Sequence, residues 1–132
     1  MTIYKSTDIE EEIRTALAPY QTAYCRPLPE DYGLPNILIT QVGGTPANRI
    51  DTFEVVLDSR AETEAAALDY LNIALALLVK TAKEQTTALR HVVINTSGSW
   101  GVDPVRPDLA MCSARISATA HQKIVEVSEN GN

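Results

Sequence analysis

Hydrophobic positions along the chain follow two periods, and the switches between them mark the elements. Ile9, Ile13, Ala16 and Leu17 recur at helical spacing behind Asp8, Glu10, Glu11 and Glu12. Carboxylates there complement the positive end of a helix dipole, and Thr7 followed three residues later by Glu10 has the form of a capping box, so a first helix is expected to open at this point. Pro19 ends it, because its ring has no N–H to donate and crowds the preceding turn. Residues 20–35 hold Pro27, Pro29, Gly33 and Pro35 and read as an extended connecting loop.

Residues 36–42 (NILITQV) are apolar and β-branched. Residues 50–58 alternate strictly, with Asp51, Phe53, Val55 and Leu57 on one face and Thr52, Glu54 and Val56 on the other. Two adjacent strands are implied. The segment between them, residues 43–49 (GGTPANR), is long for a tight hairpin and reads either as a projecting, flexible tongue or as an ordinary polar loop. A second capping box, Ser59 with Glu62, opens a main helix whose stripe is Ala65, Leu68, Leu71, Leu75, Leu78 and Ala82. Ala67, Ile73, Ala74 and Leu77 widen that arc beyond one sheet contact, which fits a second packing partner or deep burial within the protomer.

After a linker at residues 83–87, residues 91–96 (HVVINT) form a third strand and residues 110–121 a fourth. In the fourth, Ala114, Ile116, Ala118 and Ala120 alternate with Ser113, Arg115, Ser117, Thr119 and His121. Residues 97–108, rich in Gly and Pro and holding the single Trp, are expected to be a loop. The order α, β, β, α, β, β predicts an α+β fold, with a single mixed or antiparallel sheet of about four strands and two helices packed on one face. One domain over residues 1–132 is expected, with a frayed end at residues 128–132.

Composition narrows the function. A chain of 132 residues, 45% hydrophobic, supports one core, and a net charge of −6 argues against a protein that grips phosphate backbones. The chain lacks an apolar run of ~18 residues and a basic-then-apolar leader, so no membrane partner is expected and a cytoplasmic setting is. Cys25 and Cys112 stand far apart outside any CxxC pattern, and His91 and His121 stand alone. Free thiols, no metal and no cofactor follow as expectations.

Catalytic motifs are poorly represented. Gly98-Ser99-Trp100-Gly101 lacks the spacing of a nucleophile elbow, and Gly43-Gly44-Thr45 lacks the Lys-Ser/Thr pair of a phosphate loop. Asp103 and Asp108 flank Arg106, as an acid/base set or as a loop pinned by Arg–carboxylate forks, with the pinned loop preferred. Trp100 is a loop anchor or an interface hot spot. Arg49, Arg60, Arg106 and Arg115 lie at strand ends, in loops or on the more polar strand face, where Arg suits bidentate contacts between subunits.

Taken together, four features resemble one family: the run from Leu34 to Thr45 (LPNILITQVGGT), the alternating strand ending Leu57-Asp58-Ser59-Arg60, the Ala-rich helix, and the stretch from Asp103-Pro104 to Arg115. They are similar to the tail-terminator (minor tail) proteins of long-tailed, non-contractile bacteriophages, across about residues 7–125. The chain departs from the family pattern at Ala120-His121-Gln122-Lys123, where a closing aromatic is usual.

The resemblance implies a structural, non-enzymatic virion protein that forms a homohexameric ring at the head-proximal end of the tail after assembly in the host cytoplasm. Its implied partners are further copies of itself, the tail-tube protein and the head-tail connector protein. Genomic DNA passes through such a ring without specific binding. Interface candidates are Gly43, Gly44, Arg49, Arg60, Trp100, Asp103, Arg106, Asp108 and Arg115. The alternatives are a head-completion or neck protein of the same particle, and a small-molecule enzyme using Asp103, Arg106 and Asp108.

Overall fold

The computed structural model describes residues 1–47 and 49–130. Asn48, within the expected tongue, and residues 131 and 132, within the expected frayed end, lie outside the described residues. The elements run β1 (Thr2–Lys5), α1 (Ile9–Leu17), β2 (Ala23–Cys25), β3 (Asn36–Thr45), β4 (Ile50–Ala61), α2 (Glu64–Glu84), β5 (Leu89–Val102), β6 (Ala110–His121) and β7 (Lys123–Glu126). Five strands form one mixed sheet in the order β2-β3-β4-β6-β5, antiparallel except for the β2–β3 pair, while β1 and β7 make a separate antiparallel ribbon. The fold is α+β with both helices packed on the sheet, as the periodicity predicts.

The alternation of β4 and β6 decides where the core lies. Asp51, Phe53, Val55, Leu57 and Ser59 of β4 and Cys112, Ala114, Ile116, Ala118 and Ala120 of β6 are buried on the helix-bearing face. The alanines of β6 leave room for α2 to settle close, and Leu71, Ala74, Leu75 and Leu78 fill that space. Ile9, Ile13 and Leu17 of α1 complete the core over β2 and β3. By length and composition α2 is apolar enough to cross a membrane, a property it shares with core helices. Here its buried face is sequestered within the protein core.

Several boundaries differ from the sequence expectation. Asp8, not Thr7, caps α1, its carboxylate accepting from the Glu11 N–H at 3.2 Å, because the Thr7 hydroxyl is turned inward to donate to the His121 carbonyl at 2.7 Å. Ser59 does not open α2. Pairing with β6 carries β4 through Ala61, so Thr63 becomes the cap, accepting from the Ala66 N–H at 3.2 Å, and the buried Ser59 hydroxyl donates to the Ala67 carbonyl at 2.8 Å. That start puts Ala67 and Ala74 inward and leaves Ala65 and Leu68 exposed, contrary to the expected stripe.

Two expected loops are partly strand. Gly43, Gly44 and Thr45 pair with Glu54, Phe53 and Thr52, so the tongue is reduced to the short turn after Thr45. A bulge at Val42 shifts the register between Gln41 and Gly43 by one residue. Residues 97–102, expected in a loop, extend β5 along β6, and Gly98, at φ +78°, sits in the irregularity between Thr96 and Ser99 where the left-handed region suits glycine. Three short strands, β1, β2 and β7, were not foreseen.

Candidate functional site

Arg60 belongs to the helix-free face of β4, yet its side chain is only 8% exposed. Two loops cross over that end of the sheet, one joining β2 to β3 and one joining β5 to β6. The second brings Asp103 onto Arg60, with Nε donating to Oδ2 at 2.6 Å and the carboxylate 5% exposed. The other oxygen of Asp103 accepts the Val105 N–H at 2.8 Å and the Arg106 N–H at 3.1 Å, which shapes the loop. Burial pushes the Asp103 carboxyl up, but the bonds from Arg60 and the two amides outweigh it and hold it below the ordinary range.

Between these loops opens a cleft of about 520 Å³ whose walls include Leu28, Pro29, Leu38 and Val105. Arg60, Asp103, Tyr32, Glu30 and Arg106 supply its polar groups. Two of these are incomplete: Nη1 of Arg60 and the Tyr32 hydroxyl are buried without a hydrogen-bond partner among the described residues. Arg106 stands exposed at the rim and forks onto Asp108, at 3.2 Å from Nε and 3.0 Å from Nη2. The fork is internal to the loop, and Asp103 pairs with Arg60 rather than with Arg106.

A second feature is the outer edge of the sheet. β5, 14 residues long, is a terminal strand of the sheet, and Val93, Ile94, Trp100 and Val102 on it are 43–68% exposed. Among the described residues its outward-facing backbone groups have no neighbouring strand. Ile94 forms one wall of a groove of about 570 Å³ against Leu75, Ala76 and Val79 of α2, with Lys80 and Lys83 on its border. The opposite edge is short: β2 covers only Ile37, Leu38 and Ile39 of β3.

The sequence candidates divide among these places. Arg60, Asp103 and Arg106 come together at the cleft, with Asp108 beside Arg106. Trp100 lies on β5 near Met111, at the same end of the sheet. Gly43 and Gly44, opposite Glu54 and Phe53, lie about 20–23 Å along β4 from Arg60, and Arg49 about 36 Å, at ~3.3 Å per residue. A Cβ on Gly44 would meet the Thr52 carbonyl oxygen at 3.0 Å, so close strand approach explains that glycine. Arg49 stacks over Tyr4, 4.8 Å from the ring centroid, tying the turn to β1. Arg115 is exposed in mid-sheet on the helix-free face, opposite Val56.

On that face, Ser113 donates to Asp58 at 2.5 Å and Ser117 to Glu54 at 2.7 Å, giving a polar, acid-bearing surface. Neither cysteine is poised as a nucleophile: burial, then the carboxylates of Glu11, Glu10 and Asp8, push the Cys25 thiol up to about 11, and Cys112 is buried. Among the described residues no three His, Cys, Asp or Glu side chains gather as a metal site.

Sequence reasoning missed Tyr32, the Arg60–Asp103 pair and the length of β5. One signal was available: Asp103-Pro104 begins an Asx-type turn, whose carboxylate commonly caps amides two and three residues on. No protein-family model matches the chain, and no curated protein matches it.

Proposed function

We propose that the protein is a structural component of a phage particle that assembles into a ring through its sheet edge and caps the tail tube, as tail terminators do. The observation that carries this reading is the β5 edge: a 14-residue strand with an open outer side, exposed apolar side chains and an adjacent apolar groove. Soluble proteins protect long edges with charge, proline or a bulge that turns them away. β5 has bulges but no proline, and its exposed side chains at Val93, Ile94, Trp100 and Val102 are apolar.

Pairing of β5 with β5 of a second copy would give a closed two-fold dimer. Pairing of β5 with a different surface of the neighbour is head-to-tail and gives a ring when the rotation between copies closes, an open filament when it does not. The free length of β3 beyond β2, at the opposite edge of the sheet, supplies such a surface. Six copies, the tail-tube and head-tail connector partners, and DNA passing through the centre rest on the family resemblance. The acid-bearing helix-free face, with Glu54 and Asp58, suits a surface that DNA passes without adhering.

The enzyme alternative draws little support from the same residues. Both oxygens of Asp103 are engaged by Arg60 and backbone amides, and Arg106 and Asp108 close on each other.

The test is assembly. Native mass measurement and negative-stain micrographs, with and without purified tail tubes, are expected to give six-fold rings seated at one tube end. Replacing Val93 and Ile94 by Lys should return the protein to protomer mass with its circular dichroism unchanged. A protein that stays monomeric with tubes, or a double variant that still assembles, would refute the reading.

A further inference from the structure

We infer that the cleft over Arg60 is a binding site for a neutral carbonyl group attached to an aliphatic body. Its walls are aliphatic where Leu28, Pro29, Leu38 and Val105 meet, which selects an apolar body. The polar requirement follows from what is already satisfied. Asp103 has both oxygens occupied, by the Arg60 Nε–H on one and by two backbone amides on the other. The groups without partners, Nη1 of Arg60 and the hydroxyl of Tyr32, are both able to donate. A buried donor without an acceptor carries the full cost of its lost hydration, so the missing component is an acceptor.

Charge selects the kind of acceptor. Arg60 is neutralised by Asp103 and Arg106 by Asp108, and Glu30 adds a further negative charge to the lining. A carboxylate entering the cleft would meet the charge of Glu30, and a cation brings no acceptor for the Nη1 of Arg60. A neutral carbonyl oxygen meets neither objection. A polypeptide segment presents this chemistry as a backbone carbonyl beside a Leu- or Val-like side chain, and a small amide presents it alone.

The site is independent of the β5 edge, so its test does not turn on ring assembly. Methyl-labelled full-length protein is titrated with N-acetyl-leucine N-methylamide and, separately, with the N-acetyl-leucine anion, each to tens of millimolar. The amide is expected to shift the methyl resonances of Leu28, Leu38 and Val105 saturably, and the anion to bind several-fold more weakly. Tyr32→Phe keeps the ring and removes only an unpartnered hydroxyl, so the fold should persist while amide affinity falls about three- to tenfold. Val105→Asp, at a position 82% exposed, should abolish the shifts without unfolding the chain.

An Ala-Leu-Ala peptide blocked at both ends distinguishes the two sources. Tighter binding than the single residue identifies a polypeptide segment, and equal binding identifies a small amide. The absence of saturable shifts, an anion that binds as well as the amide, or affinity unchanged in both variants would overturn the proposal.

Discussion

Removing the Asp103 carboxylate would leave the Arg60 guanidinium where water scarcely reaches it, since the two side chains are 5% and 8% exposed. Breaking such a pair from one side costs far more than the pair is worth, because the remaining charge stays buried alone. Asp103→Ala is therefore expected to lower the unfolding free energy by about 3–5 kcal/mol in urea titrations. Arg60→Met with Asp103→Leu should restore most of that loss, as both charges leave together. A single variant as stable as wild type would mean that the guanidinium finds water or another acceptor. Arg106 differs from Arg60 in kind: its fork to Asp108 is exposed and joins two residues of one loop, so Arg106→Ala should leave the melting midpoint almost unmoved.

Elements whose signal is local were legible in the sequence. β6 was read to its boundaries, Ala110–His121, because small buried and polar residues alternate along it without interruption. The helix-facing residues of β4 were read from the same period. The second half of β5 was not, since Gly98, Ser99 and Gly101 have the composition of a loop and become strand only because β6 runs alongside. β1 and β7 hold no signal of their own, since among the described residues each pairs as a strand with the other alone. The cleft was out of reach for the same reason, its two charges lying 43 residues apart, so that Asp103 was read with its neighbour Arg106.

The β3–β4 connection tests this reading of local against pairing signals. Amides of residues 43–45 are expected to exchange with solvent at least ~100-fold more slowly than those of residues 128–130, as strand pairing requires. Exchange as fast as in that tail would restore the mobile tongue that the two glycines imply.

At the scale of the whole molecule, two buried aspartates lie near opposite ends of the sheet, Asp51 at the start of β4 and Asp103 beside its end. Burial pushes the Asp51 carboxyl up, but bonds from Ser6, Gln122 and the Ala47 amide prevail and hold it low, as those to Asp103 do. A folded value below the ordinary 3.8 means stability that is complete above that pH and is lost as pH falls through the folded values. Thermal melts should thus hold level from neutral pH to about 5 and drop below about 4, with both ends of the sheet loosening together. A melting midpoint that rises as pH falls below that value would contradict the sign.

The β1–β7 ribbon has a consequence for the connectivity of the chain. Met1 and Val127 exchange backbone hydrogen bonds of 3.0 and 2.9 Å, so residue 1 and residue 127, though 126 positions apart, meet in space. A short glycine-serine bridge between them would make the backbone nearly continuous, and the cut could then be moved to the exposed turn after Glu84, where Gln85 already adopts a left-handed conformation. Such a rearranged gene should yield a protein with the same sheet and nearly the same melting temperature, because the closure entropy of a few residues is small. Its new ends would emerge beside α2 instead of at the ribbon, giving a fluorophore or affinity tag a second place to stand on the same fold.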